Sequence, residues 1–154
     1  MRREINFVKI NPTQNMTILV TTKHHAEEYA RIASKVMSYE NVHAEQVGFI
    51  ELPAKPEAAA NLQMAGGEFC GNACMALAAL IASEKGIAAG DVMNIELEAS
   101  GSEQLVSCQV KKSKQGYICR MDMPAPRRIE QKTVRYEGED LTISIVRYHD
   151  YFHL

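Results

Sequence analysis

Met64-Ala65-Gly66-Gly67-Glu68-Phe69-Cys70-Gly71-Asn72-Ala73-Cys74-Met75-Ala76-Leu77-Ala78-Ala79-Leu80-Ile81-Ala82 is the segment about which this chain is arranged. Two glycines loosen the backbone ahead of a cysteine, a Gly-Asn pair follows it, and the residues after that are nearly all helix formers of low polarity. The segment predicts a loop running into a buried helix with Cys70 at its mouth. First-turn N–H groups of a helix lack partners inside it and carry partial positive charge, so an anionic sulfur is favoured there. Cys70 is on that ground a candidate thiolate, and the amides of Gly71, Asn72 and Ala73 are a candidate cradle for a carboxylate. Taken alone, the local sequence leans to the plainer reading of a structural cysteine packed under a helix, because free cysteine is among the most buried residue types.

Upstream, Ile5 to Lys9 and Met16 to Val20 read as two strands of a hairpin joined by the polar turn Asn11-Pro12-Thr13-Gln14-Asn15. Asn11 and Asn15, taken singly, are turn formers. Thr22 or the residues just after it are placed to cap a helix whose apolar positions Tyr29, Ile32, Ala33, Val36 and Met37 recur at helical spacing. His24 and His25 fall at its polar start and read as solvated side chains. Val42 to Leu52 alternates like a strand, with Glu45 and Gln46 near its beginning. A Pro- and Ala-rich connection then leads to a short strand at Asn61 to Met64.

The helix after Cys70 is expected to stop near Gly86. Beyond it, Met93 to Glu98, Gln104 to Val110, Gly116 to Met123 and Thr142 to Tyr148 read as strands, separated by Gly101, the lysine run and Pro124-Ala125-Pro126. Cys108 and Cys119 fall inside strands, where a core role is expected. The last residues, Tyr148 to Leu154, are strand-like and apolar.

The chain has 154 residues, enough for one domain with a real core, and its net charge of −2 mixes both signs. That balance offers nothing to nucleic acid. The longest apolar run, Ala73 to Ala82, is about half of the roughly 20 residues that cross a bilayer, and no signal-peptide pattern opens the chain. A cytoplasmic protein without membrane contact is expected. The four cysteines lack zinc-ligand spacing, so neither a metal site nor a disulfide is expected.

Four motifs in register carry a resemblance: Lys9-Ile10-Asn11-Pro12, Asn15-Met16-Thr17-Ile18-Leu19-Val20, Glu45-Gln46-Val47-Gly48-Phe49-Ile50-Glu51 and Glu68-Phe69-Cys70-Gly71-Asn72-Ala73. In these the chain resembles the N-terminal half of the diaminopimelate epimerase-like family, and within it the histidine racemases of staphylopine-type opine-metallophore biosynthesis. The resemblance implies an α+β half-domain, a mostly antiparallel sheet wrapped around a central helix that starts near Cys70. It implies that residues 1–154 form the first domain of a two-domain racemase whose C-terminal domain, with a second cysteine, is absent from this chain.

The activity so implied is cofactor-independent inversion of an amino-acid α-carbon by two bases, one cysteine from each half. An acid and a base on opposite faces are what inversion needs, together with hydrogen-bond donors for the charge that moves onto the carboxylate. Carried over residue by residue, Cys70 is catalytic, while Asn15, Gln46, Gly71, Asn72 and Ala73 bind substrate. The resemblance thereby reverses the plainer reading of Cys70. Cys74 lies one turn along the same side and is not placed to serve the opposite face. Gln63-Met64-Ala65 stands where diaminopimelate epimerases carry an asparagine for the distal end of their substrate, which favours histidine over diaminopimelate. The expected partners are an amino acid, the missing C-terminal half and, through exposed apolar surface, a second copy in a homodimer. Diaminopimelate epimerase, or a non-catalytic binding and assembly half-module, are the alternative functions.

Overall fold

The computed structural model describes residues 4–149 and 151–154. Their contacts gather into two compact units that divide between Met123 and Pro124, at the Pro-Ala-Pro break noted above.

The first unit contains β1 (Phe7–Ile10), β2 (Thr17–Val20), α1 (Ala26–Met37), β3 (Gln46–Glu51), β4 (Ala60–Met64), α2 (Gly71–Glu84), β5 (Val92–Ala99), β6 (Val106–Ser113) and β7 (Gly116–Met121). Its seven strands form one sheet in sequence order. Two neighbouring pairs, β2 with β3 and β4 with β5, are parallel, and the other pairs are antiparallel. The parallel pairs are the two that have a helix between them, since a parallel neighbour is reached only by a crossover. The α+β class expected from the sequence is therefore what is found.

Strand alternation divides the apolar residues between two layers. Ile18, Val20, Val47 and Phe49 pack with Tyr29, Ile32, Ala33 and Val36 of α1, the helical face read from the sequence. Tyr29 stacks flat on Phe49 with ring centroids 3.7 Å apart, and its hydroxyl donates to Glu51. The other face carries Leu19, Gly48, Leu62 and Met64, where a Cβ on Gly48 would stand only 2.7 Å from Leu62 Cδ1. Helix α2 contacts every strand from β2 to β7. Its buried residues are mostly small, Ala73, Cys74, Ala76, Leu77, Ala78 and Ala82, which lets the sheet come close around it. Burying Leu77 stabilises the unit by roughly 2 kcal/mol. At its end Lys85 and Gly86 donate to the carbonyls of Ile81 and Ser83, and Gly86, at φ 67°, supplies the left-handed residue that closes a helix.

Two details of this unit differ from the sequence reading. The start of α1 falls at Ala26 with His25 in the capping position and no side-chain cap; Thr22 instead bonds the backbone N–H of Asn6 and the His24 ring. The strand break at the lysine run comes late, at Lys114 and Gln115. Lys111 and Lys112 lie within β6, opposite Ile118 and Tyr117, and the Lys112 ammonium sits 4.0 Å from the centre of the Tyr117 ring.

The second unit is a three-stranded antiparallel sheet of β8 (Arg128–Tyr136), β9 (Glu139–Arg147) and β10 (Phe152–His153), ordered β10-β9-β8. Glu137 and Gly138 link β8 to β9 with φ of 50° and 88°, the paired positive angles of a two-residue hairpin turn. Strand β8 was not foreseen. Its one partly buried position is Glu130, so neither face carries the apolar alternation that marks a strand. Among the described residues no helix is long and apolar enough to cross a membrane.

Candidate active site

The loop that presents Cys70 is fixed from below. Ser100 Oγ accepts from the Met64 N–H at 3.0 Å and donates to the Glu68 carbonyl at 2.7 Å, so one hydroxyl ties the end of β4 to the loop. Gly101, at φ 71°, lies so close that a Cβ there would stand 2.4 Å from the Phe69 nitrogen. Phe69 is itself buried and anchors the residue before the cysteine. Gly67, at φ 75°, closes a turn in which its N–H donates to the Met64 carbonyl at 3.0 Å.

Cys70 occupies the capping position of α2 in extended geometry, φ −132° and ψ 105°. Its thiol, half-buried, donates to Gln46 Oε1 at 2.9 Å. The Gln46 amide nitrogen donates in turn to Thr17 Oγ1 at 2.6 Å, and the Thr17 hydroxyl donates to the Asn15 carbonyl at 3.0 Å. Gln46 and Thr17 stand opposite each other in the parallel pair of β3 and β2, which is why they meet. The hairpin turn closes from the other side: Thr13 Oγ1 bonds Asn72 Oδ1 at 3.4 Å, and the Glu45 carboxylate accepts from the Met16 N–H. Thr13 and Gln14 hold φ of 52° and 64°, uncommon for residues with side chains. The Asn15 Oδ1 atom is buried and without a hydrogen-bond partner among the described residues.

Electrostatics at the sulfur are a contest. Burial raises the Cys70 thiol above its ordinary value; the backbone N–H groups of Ala73 and Asn72 and the Gln46 side chain pull it down, and the Glu68 carboxylate pushes it up. Desolvation wins, so the helix start does not by itself make Cys70 a resting thiolate in this chain. The same N–H groups that were read as a carboxylate cradle, those of Asn72 and Ala73, are directed at the sulfur. Burial pushes Cys108 up to about 12 and Cys74 higher still, as suits thiols with no exposed surface. Cys119 is half-buried and also raised by desolvation.

The structure thus brings Cys70, Gln46, Asn72 and the backbone of Asn15 and Ala73 to one end of α2. Gly71 contributes by what it lacks: a Cβ there would press to 3.3 Å from Met123 Sδ and 3.6 Å from Met121 Sδ. Asn11 is exposed and takes no part. Thr17 and Ser100, the buried polar residues of the unit, were missed by the sequence reading. For Thr17 the available signal was a lone polar residue at the head of an apolar strand, since such a group is kept only where it is bonded.

Comparison with solved structures gives the fold. The chain superposes on methylitaconate-delta-isomerase with a TM-score of 0.58 at 12% identity, covering 94% of this chain and 50% of the other. It does so equally, at 0.58 and 12%, on a predicted epimerase from Pseudomonas aeruginosa, covering 86% and 46%. The fold is that of these isomerase-type proteins. Residues 4–154 match the model of the histidine racemase CntK N-terminal domain, and the chain belongs to that family. It is similar to a histidine racemase of Staphylococcus aureus, 35% identical over 153 residues that make up 99% of this chain and 54% of the relative. A histidine racemase of Fusobacterium nucleatum is 30% identical over 148 residues, 94% of this chain and 51% of the relative. The chain therefore spans about half the length of the curated relatives it matches.

Proposed function

We propose that this chain is the N-terminal half of a cofactor-independent amino-acid racemase of the diaminopimelate epimerase-like fold, its sheet curled about α2, and that the substrate is histidine. One observation carries the reading: a half-buried sulfur at the start of α2 meets a side-chain amide and two backbone N–H groups. The contact of α2 with β2 to β7 supports the curled sheet, and the relatives' activity supports the substrate.

In the forward step the Cys70 thiolate takes the α-proton, and the C–H electron pair passes to the α-carbon and into the carboxylate. An acid on the opposite face then returns a proton to that carbon, and the amino acid leaves inverted. Cys74 is fully buried one turn along α2, so the opposing acid belongs to the half of the relatives' length that this chain does not span. The whole enzyme works in the cytoplasm, needs no cofactor and assembles from both halves, with self-association into a homodimer.

Incubation with L-histidine in deuterated water tests this. Exchange at the α-carbon without inversion is expected of this chain alone, and inversion once the second half is supplied. Cys70→Ser should abolish both. A second reading, an amino-acid-binding half-module without chemistry, is favoured by the burial that keeps Cys70 protonated; it predicts histidine binding with no exchange.

A further inference from the structure

We propose that Thr17 is a positioning residue whose hydroxyl lets the single amide of Gln46 serve Cys70 both as thiol and as thiolate. The inference rests on the racemase reading only for its purpose, since a two-base reaction run in both directions needs Cys70 in both states.

The bonds observed are those of the thiol. Sulfur donates to Gln46 Oε1, Gln46 Nε2 donates to Thr17 Oγ1, and Thr17 donates to the Asn15 carbonyl. Each of the three side chains in this series donates one bond to the next acceptor. A thiolate has no proton to give and needs a donor instead. Rotation of the Gln46 amide by half a turn presents Nε2–H to the sulfur and carries Oε1 to the place where Nε2 stood. That oxygen now needs a donor, and Thr17 has one, because a hydroxyl both gives and accepts. The Thr17 hydroxyl then swings from the Asn15 carbonyl to Gln46 Oε1. No heavy atom other than those of the amide moves. The position admits no water to take over, for Thr17 has no exposed surface.

Valine has the shape of threonine and neither function. With it, the inner end of the amide is unpaired in either orientation. The deficit is larger for the thiolate, because the negative sulfur polarises the amide that bonds it and strengthens the bond the amide oxygen would accept from Thr17. The other titratable groups that act on Cys70 are Glu68 on its own loop and Cys74 in α2; Glu45, next to Gln46, is held by the Met16 N–H. None of them is altered by a change at residue 17.

The test is the rate of Cys70 alkylation by iodoacetamide, read by peptide mass between pH 6.5 and 9.5, in this chain as it stands. Thr17→Ser should stay within about twofold of the parent, while Thr17→Val should slow alkylation about fivefold at pH 8 and move the midpoint of the profile upward. In a Gln46→Leu background Thr17→Val should add nothing, as expected of a residue that acts only through the amide. Equal slowing in both backgrounds overturns the proposal, and so does an unmoved profile in Thr17→Val. Should the valine variant fail to fold, Gln46→Leu alone decides: its midpoint must also rise, and an unchanged one overturns the proposal. Alkylation does not depend on catalysis, so failure here is distinct from failure of deuterium exchange.

Discussion

Gly101 lies directly beneath Phe69: a single added carbon at residue 101 would stand 2.4 Å from the Phe69 backbone nitrogen. Backbone cannot yield as a side-chain end can, and φ at this glycine is 71°, where a side chain is strained in any case. Gly101→Ala is therefore expected to cost roughly 2–3 kcal/mol of stability and to displace the loop that carries Cys70. Urea denaturation reads the first effect. The second appears as a changed Cys70 alkylation rate in the protein that remains folded at low urea, and an unchanged rate would mean that the loop is held by Ser100 without help from Gly101.

Alkali should destabilise the first unit through its buried thiols. Cys108 ionises at about 12 in the folded chain, Cys74 is raised further by burial, and an unfolded thiol ionises near 8.5. The native state thus holds protons that the unfolded state has lost. Stability from this source is complete below about pH 8.5 and is lost as pH climbs toward the folded values, by about 1.4 kcal/mol per pH unit for each thiol. With two such groups the fall between pH 9 and 10 should be about 2 kcal/mol. Tyr29, raised to about 12 by burial and by its bond to Glu51, adds to the loss above pH 10. Urea titrations at the two pH values check the slope, and Cys108→Ala should reduce it by about half.

Much of the first unit was legible because its burial is periodic. Tyr29, Ile32, Ala33 and Val36 repeat at helical spacing, and the unbroken apolar run after Cys70 announced a helix enclosed on all sides. The contacts of Cys70 were not legible: resemblance pointed to Gln46 as a substrate-binding residue, but residue 46 meets residue 70, and residue 17 meets residue 46 across the parallel pairing of β2 and β3, through long-range contacts that no local pattern records. Strand β8 escaped for the opposite reason. Arg128, Gln131, Lys132 and Arg135 are exposed, and a strand without a buried face has no pattern to read.

The second unit should accordingly have little stability of its own. Its one buried apolar residue among those described is Ile145, and three short strands with so small a core are marginal in water. A peptide of residues 124–154 is expected to show little strand signal by circular dichroism, and a cooperative thermal transition in that peptide would show that its small core suffices.

Asn15 presents the sharpest conflict between stability and use. A buried amide oxygen without a partner costs about 1–3 kcal/mol in the free chain, and the Asn15 Oδ1 atom is such an oxygen. Nothing in the hairpin turn needs it: the turn is closed by the Asn15 N–H donating to the Pro12 carbonyl at 3.0 Å, and Thr17 uses the Asn15 carbonyl. An acceptor left open beside the thiol network suits a donor brought by a ligand, and the ammonium of an amino acid is one. Asn15→Leu, which keeps the branching of asparagine, removes the orphan oxygen and should raise stability by about 1 kcal/mol while weakening histidine binding at least tenfold. Thermal denaturation and calorimetric titration with L-histidine measure the two effects on one sample. If stability rises and binding is unchanged, the oxygen faces no substrate; if stability falls, the amide is held by contacts of the turn itself.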